Sequence, residues 1–420
     1  MSTLRIWCER WLALALCLLA SPAHAQLTLP EAVARALDNN PFLQVFPLRE
    51  QAAAARTDTA KQDPGYAIGI EAENLAGNGT LSGTDNAEYA LSISSVIELG
   101  DKRKARTALA NTRYARTALE HKAAALDLVA TVTQGFVSAL SLKHQILVEE
   151  RALALTNETL DVISRLARKG AVPEADRLRA KAQQSQAELN LAALKAEYDA
   201  ERQSLASLWG EPQAGFNDVE GNLFSFANAT DFPSLRRRVE RSPELAILAS
   251  ERRMAEAELA LARSQSSANI NWRLGVRHEQ FSGDSALTAS LEIPLFSAAR
   301  NRGEEKAAHA EFNSQSYRRE DRELKLGARL YRAWQAFQQN QLAAKTLQTR
   351  IIPTLESAQS QTRLAYEQGR YRYTDWLAVQ NELLDARRRL IHAATAALHN
   401  QTLIEQLTAT PLAEEASHDD

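Results

Sequence analysis

The sequence predicts a mostly helical protein with a small β part, built from a duplicated unit of two strands and a long helical hairpin. Three observations predict it. First, Arg165 to Leu178 reads as helix, tight turn, helix, and Leu364 to Leu377 reads the same way about half the chain later, with Gly170 and Gly369 at the two turns. Second, a pair of segments with alternating apolar and polar residues precedes each of these regions. Third, the stretch from Asp101 to about Arg168 lacks proline and holds only Gly135 as glycine. As one helix it would run about 100 Å at 1.5 Å per residue, far more than a globular core needs.

Residues 1–25 read as a secretory signal peptide. Arg5 and Arg10 precede the apolar run Trp11 to Ala20, and Ala23-His24-Ala25 supplies small residues at the cleavage site. The run is too short to span a bilayer, and Leu16 before Cys17 is not a lipoprotein pattern. Both cysteines, Cys8 and Cys17, fall in this segment. The mature chain then has neither disulfides nor thiolate metal ligands, which suits an oxidising exported compartment.

The first repeat covers 26–210. Thr28-Leu29-Pro30-Glu31 is a capping box that opens a helix ending at Asn39-Asn40-Pro41. A second helix is expected from about Leu48 to Lys61. A β-hairpin over about 65–98 follows. On its first strand Tyr66, Ile68 and Ile70 share one face, and Ala67, Gly69, Glu71 and Glu73 the other. Gly77 to Gly83 is loop. On the second strand Tyr89, Leu91, Ile93 and Ile97 oppose Ala90, Ser92, Ser94 and Glu98. The helical hairpin then occupies about 101–208.

A less regular connector, 211–242, leads to Arg241-Ser242-Pro243, which echoes Asn39-Asn40-Pro41. The second repeat covers 243–410. In its β-hairpin, over about 269–296, Ile270, Trp272, Leu274 and Val276 alternate with Asn271, Arg273, Gly275 and Arg277. Leu287 to Leu295 alternate with Thr288, Ser290 and Glu292. Its helical hairpin occupies about 300–407, with a kink expected at Pro353. Residues 411–420 form a short acidic tail that reads as disordered.

With 49 basic and 52 acidic side chains the net charge is −3, so no electrostatic footprint for nucleic acid is present. No stretch after the signal reads as a transmembrane helix, so a membrane crossing would have to use strands. Aliphatic residues on one strand face with Arg and Glu on the other suit lipid outside and water inside. Four strands cannot close a barrel, and open strand edges cannot face hydrocarbon. Copies of the chain must therefore close a ring. Two copies supply eight strands, whose interior side chains fill; three supply twelve, which leaves a lumen. The architecture points to a conduit.

The chain resembles the TolC family of outer-membrane efflux proteins. The likeness spans nearly all the mature chain: Leu27 to Ala32, the two strand hairpins, both helical turns, and Tyr366 to Leu377. Within the family, Ser95 to Arg106 looks like the CzcC-type branch that serves heavy-metal resistance pumps. The resemblance implies a homotrimer whose 12-stranded β-barrel sits in outer-membrane lipid and continues as a periplasmic helical barrel. It implies as partners a periplasmic adaptor (membrane fusion protein) and an inner-membrane pump of the resistance-nodulation-division class. It implies no catalysis and no cofactor. The cargo stays open between heavy-metal cations, drugs and a secreted polypeptide.

The resemblance also assigns sites. By its motif Tyr-x-x-Gly followed by Asp, Tyr366 matches a gating tyrosine and Asp375 a ring of aspartates that narrows the pore, with Arg372 beside them as part of the gate. The residues themselves equally allow Asp375 to cap a helix beginning after Thr374. The family's usual second aspartate is Ala378 here. Gly170 and Gly369 are expected as left-handed helix C′ residues and, by the resemblance, as tips that meet the adaptor. Glu71, Glu73, Glu98, Glu292, Arg273 and Arg277 are candidates for the barrel lumen, mixed in sign as a wet pore requires. His392 and His399 share a helical face two turns apart, too far for a chelating pair, so histidine metal sites are not expected. No Ser-His-Asp spacing or phosphate loop is present. An adaptor carries one helical hairpin flanked by split β modules, whereas this chain carries two in tandem. A plain coiled coil would leave the strand pairs unexplained.

Overall fold

The computed structural model describes residues 26–228 and 230–412; the expected signal peptide and most of the acidic tail lie outside them. In chain order the elements are β1 (Gln26–Thr28), α1 (Leu29–Asn39), α2 (Val45–Lys61), β2 (Ala67–Glu73), β3 (Glu88–Ile97), α3 (Lys102–Arg168), α4 (Glu174–Ser207), β4 (Asp218–Glu220), α5 (Phe232–Val239), α6 (Pro243–Ser264), β5 (Ile270–Glu279), β6 (Ser285–Glu292) and α7 (Ser297–Thr346). A π-helical turn, Leu347–Ile351, leads to α8 (Ile352–Glu367), and α9 (Tyr373–Thr408) closes the chain. The described residues pack into two compact units, one drawn from 26–44, 124–242 and 326–412, the other from 45–123 and 243–325. Each unit draws on both sequence repeats, because duplicated elements pack beside their copies.

In the first unit, Thr28 opens α1 and its backbone N–H donates to Glu31 Oε2 at 3.0 Å. Asn40, extended before Pro41, ends it. Asn40 Oδ1 accepts the N–H groups of Phe42 and Leu43, and its Nδ2 donates to Leu208 O at 2.6 Å. The core gathers Leu27, Ala32 and Ala36 with Val132, Phe136 and Leu140 of α3, Leu205 and Trp209, and the connector residues Phe216, Val219 and Leu223. Gly135 lies where a Cβ would meet Leu205 Cδ1 at 3.3 Å. The connector is more ordered than its sequence suggests: β4 pairs in parallel with β1, Leu27 opposite Val219. Asp218 anchors it, accepting from Tyr198 Oη at 2.8 Å and Lys143 Nζ at 2.6 Å. Burial pushes the Asp218 carboxyl up, but these donors more than offset it and hold it below its ordinary value.

Three expectations for this unit need amendment. The interruption at Pro353 takes the form of the π turn directly before it, which relieves the clash of a ring lacking an N–H with the preceding turn. α3, which runs through both units, is long and apolar enough to cross a membrane by length and composition alone, with a mean hydropathy of 1.5 over its most apolar stretch. The chain beyond Thr410 starts out packed, since Leu412 is buried and its N–H donates to Glu405 Oε1 at 3.2 Å.

The second unit holds a four-stranded antiparallel sheet in the order β2-β3-β5-β6. Its register separates two faces. Ile70, Leu91, Val276 and Leu287 align across it, as do Ile68, Ile93, Leu274 and Ala289. On the opposite face stand Glu71, Ala90, Arg277 and Ala286, then Gly69, Ser92, Gly275 and Thr288. The apolar face is bare: Ile70 is 81 % and Leu287 89 % exposed. A soluble protein does not leave so many aligned aliphatics in water. Arg106 secures the sheet to the helices, donating to Glu98 at 2.8 Å and to the carbonyls of Ala60 and Gln62. α2 begins at Val45, three residues before the expected start, because Pro47 falls in its first turn where no N–H is missed.

Candidate functional site

Two regions carry the predicted site residues: the helical turns of the first unit and the polar sheet face of the second.

The two turns are built alike. Gly170 has φ 70° and Gly369 φ 71°, a conformation open to glycine at little cost. Gly170 N–H donates to Ala167 O at 2.9 Å and Ala171 N–H to Leu166 O at 3.0 Å. Gly369 N–H donates to Tyr366 O at 2.9 Å and Arg370 N–H to Ala365 O at 2.8 Å. Each is a Schellman closure that satisfies the last carbonyls of the incoming helix. α9 starts at Tyr373, so Arg372 and not Thr374 is its N-cap residue. Asp375 stands exposed in the first turn, and its Oδ2 accepts the Arg372 backbone N–H at 3.1 Å. Its charge also sits well at a helix N-terminus.

Tyr366 lies in an aromatic cluster of its own chain. Its ring stacks on Trp376 with centroids 5.1 Å apart, and Tyr373 stands 6.5 Å away. Ile163 of α3, Ala180 of α4, Tyr373 and Trp376 form the buried heart of this cluster. Tyr373 Oη donates to Gln183 Oε1 at 3.0 Å, while Tyr366 Oη is buried with no partner among the described residues. Burial first, and the Asp176 carboxylate second, push the Tyr366 hydroxyl above its ordinary value. Sequence reasoning missed Trp376, Tyr373 and Ile163; only the i, i+3 spacing of Tyr373 and Trp376 hints that they share a face.

Ion pairs join the two helical hairpins farther along. Arg363 of α8 donates to Glu158 of α3 at 2.7 Å. Arg388 of α9 reaches Glu149 of α3 at 2.5 Å through Nη2 and 2.8 Å through Nε. Glu149 is buried, 4 % exposed, and its second oxygen lacks a partner among the described residues. Within the second hairpin, Arg387 of α9 pairs with Glu356 of α8 at 2.7 Å.

On the sheet, Glu71, Glu73, Arg273, Arg277 and Glu292 share the polar face. Arg273 pairs with Glu71 at 2.7 Å and Arg277 with Glu88 at 3.0 Å. Glu88, at the start of β3, was not singled out from the sequence because its neighbours there are loop-like. Glu98 departs from expectation: β3 stops at Ile97, and Glu98 serves the junction with Arg106. Its place in the alternating pattern carries on past the last paired residue.

Among the described residues no group of three His, Cys, Asp or Glu side chains is placed to hold a metal ion. His399 and His144 are half-buried, and burial holds both below the ordinary imidazole value. His144 packs edge-on to Phe224 at 5.2 Å.

A sheet with one bare apolar face and one charged face, whose edge strands β2 and β6 have no further strand partner among the described residues, is what a subunit of a membrane β-barrel presents. The chain belongs to the outer membrane efflux protein family, which it matches over residues 32–211 and 235–410. It is 24 % identical over 311 residues to the cobalt-zinc-cadmium resistance protein CzcC of Cupriavidus metallidurans, covering 74 % of each chain. Its fold is similar to that of CusC, with a TM-score of 0.76 at 17 % identity over 90 % of this chain and 91 % of that one. It is also similar to the outer membrane protein VceC of Vibrio cholerae, with a TM-score of 0.75 at 16 % identity over 91 % of this chain and 96 % of that one. The protein is thus an outer-membrane efflux channel, a passive conduit and not an enzyme.

Proposed function

We propose that this chain forms the outer-membrane duct of a tripartite efflux system, as a homotrimer that exports heavy-metal cations. The observation that carries the assembly is the four-stranded sheet whose edges at β2 and β6 have no partner strand among the described residues. In hydrocarbon those edges must pair with other copies, and three copies leave an open lumen. The likeness to a cobalt-zinc-cadmium resistance protein supports a metal cargo. In this reading the apolar sheet face meets lipid, and Glu71, Glu73, Glu292, Arg273 and Arg277 line water. The periplasmic adaptor meets the turns at Gly170 and Gly369, and an inner-membrane pump of the resistance-nodulation-division class supplies the work.

Three Asp375 carboxylates around the axis attract cations and repel anions, while Tyr366 holds its own helices together through the aromatic cluster. Arg372 adds positive charge beside the ring and tempers its field. Deletion of the gene, with cation and drug sensitivities measured side by side, tests the cargo. Sensitivity to cobalt, zinc or cadmium is expected. Sensitivity to drugs alone, or loss of a secreted polypeptide, would assign the duct to a different system.

A further inference from the structure

In the second unit α2 and α3 pass each other antiparallel. At one end Arg106 and Thr107 donate to Ala60 O, and at the other Phe46 stacks on His121 with centroids 4.9 Å apart. Beside this contact the two helices and Leu261 of α6 enclose a cavity of about 840 Å³. Small-molecule sites run from about 300 to 1,000 Å³, so the space suits an organic ligand rather than a single water.

Four arginines line it: Arg49 and Arg56 of α2, Arg106 and Arg113 of α3. On each helix the second lies two turns beyond the first, on the same face and about 10 Å along the axis. Levels counted from the Ala60 and Phe46 contacts put Arg56 and Arg113 within about 3 Å of each other along the axes. The chain neutralises only part of this charge. Arg106 pairs with Glu98 at 2.8 Å, and Arg113 with Glu258 at 3.1 Å through Nη2. Glu120, which also lines the cavity, is held by Arg116 at 2.7 Å. Arg49 lies over the Phe46 ring at 5.3 Å, and neither Arg49 nor Arg56 has an ion pair among the described residues.

Between the arginines the wall is apolar: Ala53, Ala60, Leu109, Ala110 and Leu261. Alanine and leucine offer these cations no counter-charge, so a bound anion relieves their mutual repulsion. Guanidinium forks match phosphate oxygens two at a time, and the apolar wall calls for hydrocarbon beside the phosphate. The cavity also begins where the sheet ends, since Arg106 reaches Glu98, the residue directly after β3.

We propose that this cavity binds a phosphate ester of net negative charge, with an anionic lipid headgroup as its source. Arg56 and Arg113 grip the phosphate from the two helices, Arg49 extends the positive field along α2, and the alanine and leucine wall seats the start of the acyl chains. A water-soluble phosphate ester shares the headgroup chemistry, and the test separates the two. The anion site stands on the cavity itself; only its membrane source rests on the duct reading above.

Calorimetric titration of the full protein in an uncharged detergent uses three probes: short-chain phosphatidylglycerol, short-chain phosphatidylcholine and glycerol phosphate. Saturable binding of phosphatidylglycerol is expected, at least about tenfold tighter than that of the zwitterionic lipid. Arg49→Gln with Arg56→Gln weakens it at least about tenfold. Both side chains are exposed and outside any ion pair, so this variant keeps the fold, which an unchanged melting temperature without ligand checks. Arg236→Gln with Arg237→Gln, on an exposed face of α5, leaves the binding as it was. Glycerol phosphate bound as tightly as phosphatidylglycerol upholds the anion site and assigns it to soluble esters; binding of the lipid alone assigns it to the membrane. Equal binding of the two lipids with no binding of glycerol phosphate, an affinity unchanged in the Arg49 and Arg56 variant, an equal loss in the α5 variant, or no saturable binding of either anionic probe overturns the proposal.

Discussion

Arg388 offers the sharpest test of what holds the two helical hairpins together. Its partner Glu149 is 4 % exposed, and the pair spans α9 and α3. Arg388→Ala leaves a buried carboxylate without a cation, which in a fully buried site costs about 3–5 kcal/mol. The Arg388 side chain is 35 % exposed, so water reaches the pair and about 2–3 kcal/mol is expected. Arg363 to Glu158 is the internal comparison. Its side chains are 45 % and 47 % exposed, and loss of a pair so hydrated costs about 0–1 kcal/mol. Hydrogen exchange of the amides around 385–395 in the detergent-solubilised protein reads the difference. At about 1.4 kcal/mol per tenfold, Arg388→Ala lowers protection roughly 30- to 150-fold, and Arg363→Ala less than about fivefold. The double replacement Glu149→Leu with Arg388→Met removes both charges and stays within about 1 kcal/mol of the parent. Equal losses from the two arginine variants would refute the argument that burial sets the value of these pairs.

Further expectations follow from single positions. Val276→Arg places a cation on the apolar face in the middle of the sheet and costs about 2–4 kcal/mol of barrel stability in bilayers, whereas Thr288→Arg on the opposite face is tolerated; urea unfolding in vesicles compares the two. Gly369→Ala forces a side chain into φ 71° and costs about 1 kcal/mol, while Gly327→Ala, in open space within α7, gains about 0.5–1 kcal/mol; thermal unfolding gives opposite signs. His144 and His399 titrate below the ordinary 6.5 because burial disfavours their charged forms. As pH falls below 6.5 the unfolded chain takes up protons first, so stability is full above that value and declines toward the folded pKa. His399→Gln flattens that decline in melting temperature against pH. If Asp375 lines the constriction, Asp375→Ala weakens cation block of conductance in planar bilayers; unchanged block leaves it only its contact with the Arg372 N–H.

The parts of the fold legible in the sequence are those with local causes. Alternation marked the apolar and polar faces of all four long strands, and the structure aligns them with Ile68, Leu91, Val276 and Leu287 on one side. Thr28 with Glu31 marked a helix start, and Gly170 and Gly369 marked two helix ends. The parts that stayed hidden have distant causes. β1 and β4 are three residues each, too short to show a period, and they pair across nearly two hundred residues. Glu149 and Arg388, 239 apart in sequence, look like any other charges on a helix until the hairpins pack. Tyr366 was legible as a motif, but the ring it stacks on was not, because Trp376 reads from sequence as one more apolar residue of a long helix. Glu98 shows the opposite error: a periodic pattern continued one step beyond the backbone pairing that gives it meaning.

The most direct test of the whole account is the symmetry of the purified mature protein, imaged in lipid nanodiscs by electron microscopy with its mass measured by light scattering. The account predicts a threefold particle of three chains, with a central pore through the lipid disc. A water-soluble monomer that ignores the disc would contradict it, and would return the bare sheet face to the interior of some other assembly.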